Sequence, residues 1–227
     1  MIFKSLPIGQ WAEQESCLFF FGNRNSSLTS LQKEFPNLEF IRLKQFHSDL
    51  VVESSQSINP LAEADAHFTR RPGIGLCINT ADCVPLLLHD RKSHQIAAIH
   101  AGWRGVAQRI LPKTLEHLIA KGWSYPDTQI VMGPHIQMES FEVRNDVRDE
   151  ILASIQQPTQ KHFATISTEK SRVHLSQVLL SQLEDFGLPI RPAFITAENT
   201  VRDSNYHSFR RDQAESGRQI SFIALTR

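Results

Sequence analysis

Cysteine is scarce: Cys17, Cys77 and Cys83 are the only three in 227 residues. A number that small and odd excludes a disulfide framework, and it fits a reducing compartment where a thiol is free to serve as ligand or nucleophile. Long hydrophobic runs are missing too. Phe19-Phe20-Phe21 is far too short to cross a bilayer, and the opening MIFKSLPIGQW has no apolar stretch behind a basic start. The expectation is therefore no membrane partner, no signal peptide and a cytoplasmic protein. Neither sign of charge prevails, since 24 Lys and Arg balance 24 Asp and Glu. That argues against a nucleic-acid partner held by bulk electrostatics, because such domains are strongly basic. No G-x-G-x-x-G or P-loop pattern occurs, so a doubly wound nucleotide fold is not expected.

What is present is an ordinary globular composition, 41% hydrophobic and 21% charged, in a chain long enough to bury a real core. Residues 1–227 read as a single domain, without repeats or a linker. Strands are expected at Cys17–Phe21, Leu38–Leu43, Leu50–Val52, Ile74–Ile78, Val84–Leu88, Gln95–His100, Thr128–Met132, Ala193–Thr196 and Gln219–Leu225. Helical spacing marks Gly105–Ala120, with a kink or restart at Pro112, and also Val143–Ile155 and Leu175–Phe186. Gln156–Thr168 reads as a polar connection. Strands adjacent in sequence, without strict βαβ alternation, point to an α/β (α+β) fold of mixed sheets flanked by helices.

Chemistry concentrates between Ala64 and Gly105. One apolar run ends in Asp82 and Cys83, and the next in His100, Gly102, Trp103 and Arg104. If the two strands are neighbours, Cys83 and His100 reach one end of a sheet, and His47 also follows a strand. Two imidazoles and a thiolate make a three-ligand site for Zn²⁺ with a fourth position open, and copper accepts the same donors. Asp65 and Asp82 orient ligating histidines or carry a proton, or else cap turns. Trp103 is a packing anchor or the wall of a slot for a flat substrate. Arg104 pairs with a phosphate or carboxylate, or with a structural acid. Cys17 and Cys77 read as core, and His135 as solvent-exposed. Gly133-Pro134 shapes a loop at the pocket edge. Phe209-Arg210-Arg211 with Gly217-Arg218 either closes over the site or forms a surface charge cluster.

The segments ADAHFTRRPGIGLCINTADCVPLLL, IAAIHAGWRG, MGPHIQMESFEV and SFRRDQAESGRQISFIAL, with KQFHSDLV upstream, resemble the successive blocks of the laccase-domain, YfiH-type family. The resemblance runs from about Leu38 to the C-terminus. It implies a fold similar to cytotoxic-factor cysteine hydrolases, with His47, Cys83 and His100 as metal ligands. It also implies a purine nucleoside phosphorylase acting on adenosine, guanosine, inosine and methylthioadenosine, with adenosine deaminase activity, in a monomer or homodimer. On that reading Cys83, His100 and Asp82 are catalytic, Arg24, Trp103 and Arg104 bind substrate, and purine nucleosides and phosphate are the partners. Two rivals remain: a cysteine hydrolase or amidase that edits peptidoglycan precursors, with Cys83 as nucleophile and His100 as base, and a copper-dependent polyphenol oxidase (laccase). The second is weakened by the absence of any H-x-H pair among ten histidines. The chain departs from the family blocks in three places. Gly22-Asn23-Arg24 stands where an S-T-R-x-G-G opening is usual, Asn199-Thr200 replaces a Cys-Thr pair, and Ser208-Phe209-Arg210-Arg211 replaces S-Y-R-R.

Overall fold

The computed structural model describes residues 1–55, 61–124, 128–187 and 194–226. The turn-forming pair Asn59-Pro60, and Ala193 at the start of a predicted strand, lie outside them. The chain runs β1 (Lys4–Leu6), β2 (Gly9–Gln14), β3 (Cys17–Gly22), α1 (Leu28–Glu34), β4 (Glu39–Ile41), β5 (Val51–Glu53), β6 (Ala66–Thr69), β7 (Ile74–Thr80), β8 (Val84–Asp90) and β9 (Gln95–Ala101). It continues through α2 (Trp103–Ala107), α3 (Ile110–Ala120), β10 (Thr128–Met132), β11 (Glu142–Arg144), α4 (Asn145–Leu152), β12 (Phe163–Thr165) and β13 (Lys170–Val173). It ends with α5 (Leu175–Asp185), β14 (Phe194–Ile195), α6 (Phe209–Asp212) and β15 (Gln219–Leu225).

Among the described residues the strands form three sheets, ordered β1-β2-β3-β15-β7-β4, β14-β10-β8-β9-β6-β5 and β11-β13-β12. The first two are mixed, because β4–β7, β5–β6 and β10–β14 pair parallel and the remaining pairs antiparallel. This is the mixed-sheet α/β architecture that the strand order in the sequence implies.

Alternation along the strands builds the layers. Phe19 and Phe21 of β3, Leu76 and Ile78 of β7, and Leu87 and Ala98 of β8 and β9 share one core between the two large sheets. The alternate residues of the first sheet, Phe20, Cys77 and Phe222, pack with Leu31 of α1. Those of the second, Leu86, Leu88 and Ile99, meet Val106, Leu115 and Leu179 of the helices. Both large sheets are covered on both faces, which is why CLFFFG and VPLLLHD are buried at every position. Burial on this scale stabilises by roughly 1.5–3 kcal/mol for each large apolar side chain.

Several elements differ from the sequence reading. β1, β2 and β6 were not expected, and the connection Gln156–Thr168 contains β12. Val143 lies in β11 and not in a helix, because Glu142–Arg144 pairs with Lys170–Arg172 of β13, so the helix starts at Asn145. The helix predicted over Gly105–Ala120 is two helices. They break at Arg109, whose φ is 63°, and Pro112 sits in the first turn of α3, where a missing N–H costs no intrahelical bond. No helix among the described residues is long and apolar enough to cross a membrane.

Candidate metal centre and its cavity

β7 and β8 belong to different sheets, so Ala81-Asp82-Cys83 carries the chain from one to the other. β8 and β9 pair antiparallel with Pro85 opposite His100, which brings Cys83, just before β8, and His100, near the end of β9, to the same sheet end. His47 arrives on the loop between β4 and β5, with φ at 65°. Such a value costs a non-glycine residue energy and persists only where the surroundings hold it.

Asp65 is what holds it. This fully buried carboxylate, one residue before β6, accepts the backbone N–H groups of Phe46 at 3.2 Å, His47 at 3.0 Å and Ser48 at 2.7 Å, and the Ser48 hydroxyl at 2.7 Å. It also meets His100 Nδ1 at 2.7 Å. An ionised carboxylate only accepts, so the His100 proton is placed on Nδ1 and Nε2 is left for a ligand. Burial would raise the Asp65 carboxyl, but His100 and Ser48 outweigh it and bring it down to about 2. Asp65 therefore orients a candidate ligating histidine and caps the turn that carries another.

Burial likewise opposes ionisation of Cys83, yet charge and hydrogen bonding from His100, then His47, pull the thiol down to about 6. For His100, burial works against the cation, while the Cys83 thiolate and Asp65 raise it to about 9. Cys17 and Cys77, buried in the core, are pushed up by desolvation.

Cys83 Sγ lies 3.8 Å from His47 Nε2, and the His47 and His100 rings stand 4.9 Å apart. One donor atom from each of the three residues falls within 4.8 Å of the others. A tetrahedral ion bound at about 2.0–2.3 Å needs donors about 3.5 Å apart, so a small contraction satisfies it. Gly102 makes room: a Cβ there would lie 2.6 Å from His47 Cδ2 and 3.2 Å from Cys83 Sγ. The residues present fit one ion.

The corner opens onto a cavity of about 800 Å³, within the range of small-molecule sites. Trp103, Ile136, Phe141, Val147 and Leu175 supply its apolar wall, and Gln45 and Asn79 are held there by paired bonds of 2.9 and 2.8 Å. Arg104 lines it with its guanidinium 4.4 Å from the Trp103 ring centre. Asp82 lines it too, at φ 85°. Both Asp82 carboxylate oxygens are engaged, by the Thr200 hydroxyl at 2.6 Å and the Arg210 backbone N–H at 2.6 Å. Arg24 is exposed and is not among the lining residues; its backbone N–H donates to Asn205 O.

Phe209, Arg210, Gln213 and Arg218 form part of the wall, so that segment does border the cavity. The expectation for His135 was wrong. It is completely buried, its Nδ1 lies 2.7 Å from Gly133 O, and burial lowers it to about 4. Gly133 itself lies where a Cβ would strike the Phe21 ring at 2.2 Å. The contributions of Phe141, Glu142, Arg144 and Val147 were missed. They reach the cavity only because the small third sheet folds back, and no local pattern announces that.

A three-donor corner of this kind, at the end of a mixed sheet and open to a cavity, defines a class of α/β proteins with a candidate metal-ligating site. The chain belongs to the multi-copper polyphenol oxidoreductase laccase family, whose profile matches residues 22–226. It is similar to a purine nucleoside phosphorylase of Bacteroides thetaiotaomicron, 35% identical over 178 residues, which cover 78% of this chain and 66% of that protein, just under two thirds of its length. A purine nucleoside phosphorylase of Deinococcus radiodurans is 31% identical over 189 residues, 83% of this chain and 71% of that one. The fold is shared with the hypothetical protein YfiH of Bacillus licheniformis, with a TM-score of 0.89, 24% identity and 98% of each chain covered. It is shared equally with YlmD of Geobacillus stearothermophilus, with a TM-score of 0.89, 19% identity, and 100% and 99% covered.

Proposed function

We propose that the chain is a metal-dependent purine nucleoside phosphorylase acting on adenosine, guanosine, inosine and methylthioadenosine, with adenosine deaminase activity at the same site. The observation that carries the reading is the convergence of His47, Cys83 and His100 on a cavity with an aromatic wall and an arginine rim. The relatives named purine nucleoside phosphorylase support it. In phosphorolysis the bond from the sugar C1′ to the base nitrogen breaks, a C1′–O bond to phosphate forms, and the leaving base takes up a proton. In deamination water replaces the exocyclic amine, which leaves as ammonia.

Within this reading His47, Cys83 and His100 hold the ion, with Zn²⁺ favoured by the borderline-soft donor set and Cu²⁺ the alternative. Bound there, the metal supplies Lewis-acid polarisation of an oxygen. Asp65 keeps His100 in the ligating tautomer. Trp103 offers its face to the flat base. Arg104, stacked on Trp103, and Arg24, on the exposed loop after β3, bind substrate in this reading. Incubating the purified protein with each nucleoside, with and without phosphate, tests the reading by chromatography. Free base that appears only with phosphate is expected, and release of base independent of phosphate would refute phosphorolysis.

A second reading has one observation in its favour. Asp65, His100 and Cys83 also form the orienter, base and nucleophile of a cysteine hydrolase, here one acting on cell-wall precursors. A covalent acyl adduct on Cys83 and full activity after chelation would establish it. Copper-dependent phenol oxidation by several coppers lacks support, because the described residues offer a single three-donor cluster.

A further inference from the structure

Two adjacent arginines near the C-terminus are used in opposite ways. Arg211 commits its guanidinium to the protein, with Nε and Nη2 each 2.7 Å from the Asp212 carboxylate, Nη1 donating to Thr200 O at 2.9 Å and Nη2 to Tyr206 O at 2.8 Å. Arg210 instead borders the cavity. Its guanidinium carbon lies 5.5 Å from the Phe141 ring centre, and its one side-chain hydrogen bond is a long one, 3.3 Å from Nη1 to Ser140 O.

Arg218 repeats the arrangement. It sits 5.9 Å from the Phe209 ring centre and spends Nη1 alone, on Ser216 O and Gly217 O. Neither arginine forms an ion pair with a carboxylate among the described residues. Elsewhere in the lining, Arg144 is engaged by Asp146 at 2.6 Å and Glu142 by Lys170 at 2.7 Å, while Arg104 stacks on the Trp103 ring. Glu142 also feels the charge of Arg210. Stacking on a ring steadies a guanidinium plane and leaves its N–H edges free, the geometry that matches a tetrahedral oxyanion.

Asp82 links this wall to the metal corner. It precedes Cys83, adopts φ 85°, and grips the Arg210 backbone N–H at 2.6 Å. We propose that Arg210 and Arg218 form the subsite that holds a phosphoryl group in the cavity, with Asp82 as the positioning residue that fixes Arg210. The proposal deepens the phosphorolysis reading and rests on it for the identity of the anion as a co-substrate. The same chemistry also recognises the 5′-phosphate of a nucleotide.

Calorimetric titration of the metal-loaded full-length protein, at fixed ionic strength, with inorganic phosphate and separately with adenosine 5′-monophosphate tests it. Arg210→Ala and Arg218→Ala are each expected to weaken phosphate about tenfold or more, as expected for charged hydrogen bonds. Arg210→Lys and Arg218→Lys recover part of the loss. Loss with both ligands assigns a shared phosphoryl subsite; loss with the nucleotide alone assigns it to a 5′-phosphate. Unchanged affinity for both in variants that melt like wild type overturns the proposal.

Phosphate binding that depends on both arginines, without nucleoside cleavage, would leave the subsite standing and remove the phosphorylase reading. Phosphate-dependent cleavage with an unchanged KM for phosphate in both alanine variants would do the reverse. Asp82→Asn is expected to raise the KM for phosphate about fivefold with kcat and metal content nearly kept, the mark of a displaced positioning contact. A fall in kcat and Tm at constant KM would take Asp82 out of the subsite.

Discussion

Asp65 gathers four donors from residues 46–48 and a fifth from His100, so one buried side chain sets both histidines of the candidate site. Replacing it with Asn puts an amide N–H₂ among groups that are themselves donors. Asp65→Asn is expected to lower metal affinity about 10–100-fold while His47, Cys83 and His100 remain, as measured by competition with a chelator. Cys83 makes a second prediction. In metal-free protein its lowered pKa keeps it reactive with iodoacetamide down to about pH 6, while Cys17 and Cys77 stay inert, a pattern that peptide mass mapping reads directly. At this scale the site was partly legible. His47, Cys83 and His100 each sit where an apolar run meets a turn, and that placement singled them out. His135 carries the same mark, after β10 and Gly133-Pro134, yet its ring lies in the interior with Nδ1 2.7 Å from Gly133 O, which the pattern of residue types does not reveal.

The strand end that carries His100 runs directly into Gly102 and α2, and the absence of one Cβ leaves space for the His47 ring. Gly102→Ala is therefore expected to abolish stoichiometric metal binding, shown by elemental analysis of a protein that still folds. The α2–α3 break gives a prediction about stability. Arg109 sits in the left-handed region at φ 63°. Arg109→Gly should be neutral or slightly stabilising, and Arg109→Val should cost about 1–2 kcal/mol in chemical denaturation, since a β-branched residue tolerates that conformation poorly. Pro112 suggested a restart from sequence, and the restart lies two residues upstream of it. β11 was misassigned because Val143 and Val147 keep helical spacing, whereas the pairing of Glu142–Arg144 with β13 depends on residues far along the chain.

Across the whole molecule, the apolar strands showed that sheets are buried on both faces but not which sheet each strand joins. β15 lies between β3 and β7, a pairing between the two ends of the chain that no local window contains. The packed interior has a consequence for pH. His67 and His135 are fully buried, and burial lowers them from 6.5 to about 3 and about 4. As pH falls below 6.5 the unfolded chain takes up protons on these residues before the folded chain does, so their contribution to stability is full above about 6.5 and is lost progressively toward 4. The Tm should fall over that window, and His135→Gln should flatten part of the decline if the variant folds.

The account as a whole turns on His47, Cys83 and His100 acting as one metal site that drives nucleoside cleavage. The most direct measurement is phosphate-dependent release of hypoxanthine from inosine, followed alongside metal content, in wild type and in Cys83→Ala. Wild type is expected to lose activity on chelation and regain it with Zn²⁺, while Cys83→Ala neither retains the metal nor cleaves inosine. Full cleavage by metal-free Cys83→Ala protein would contradict the account.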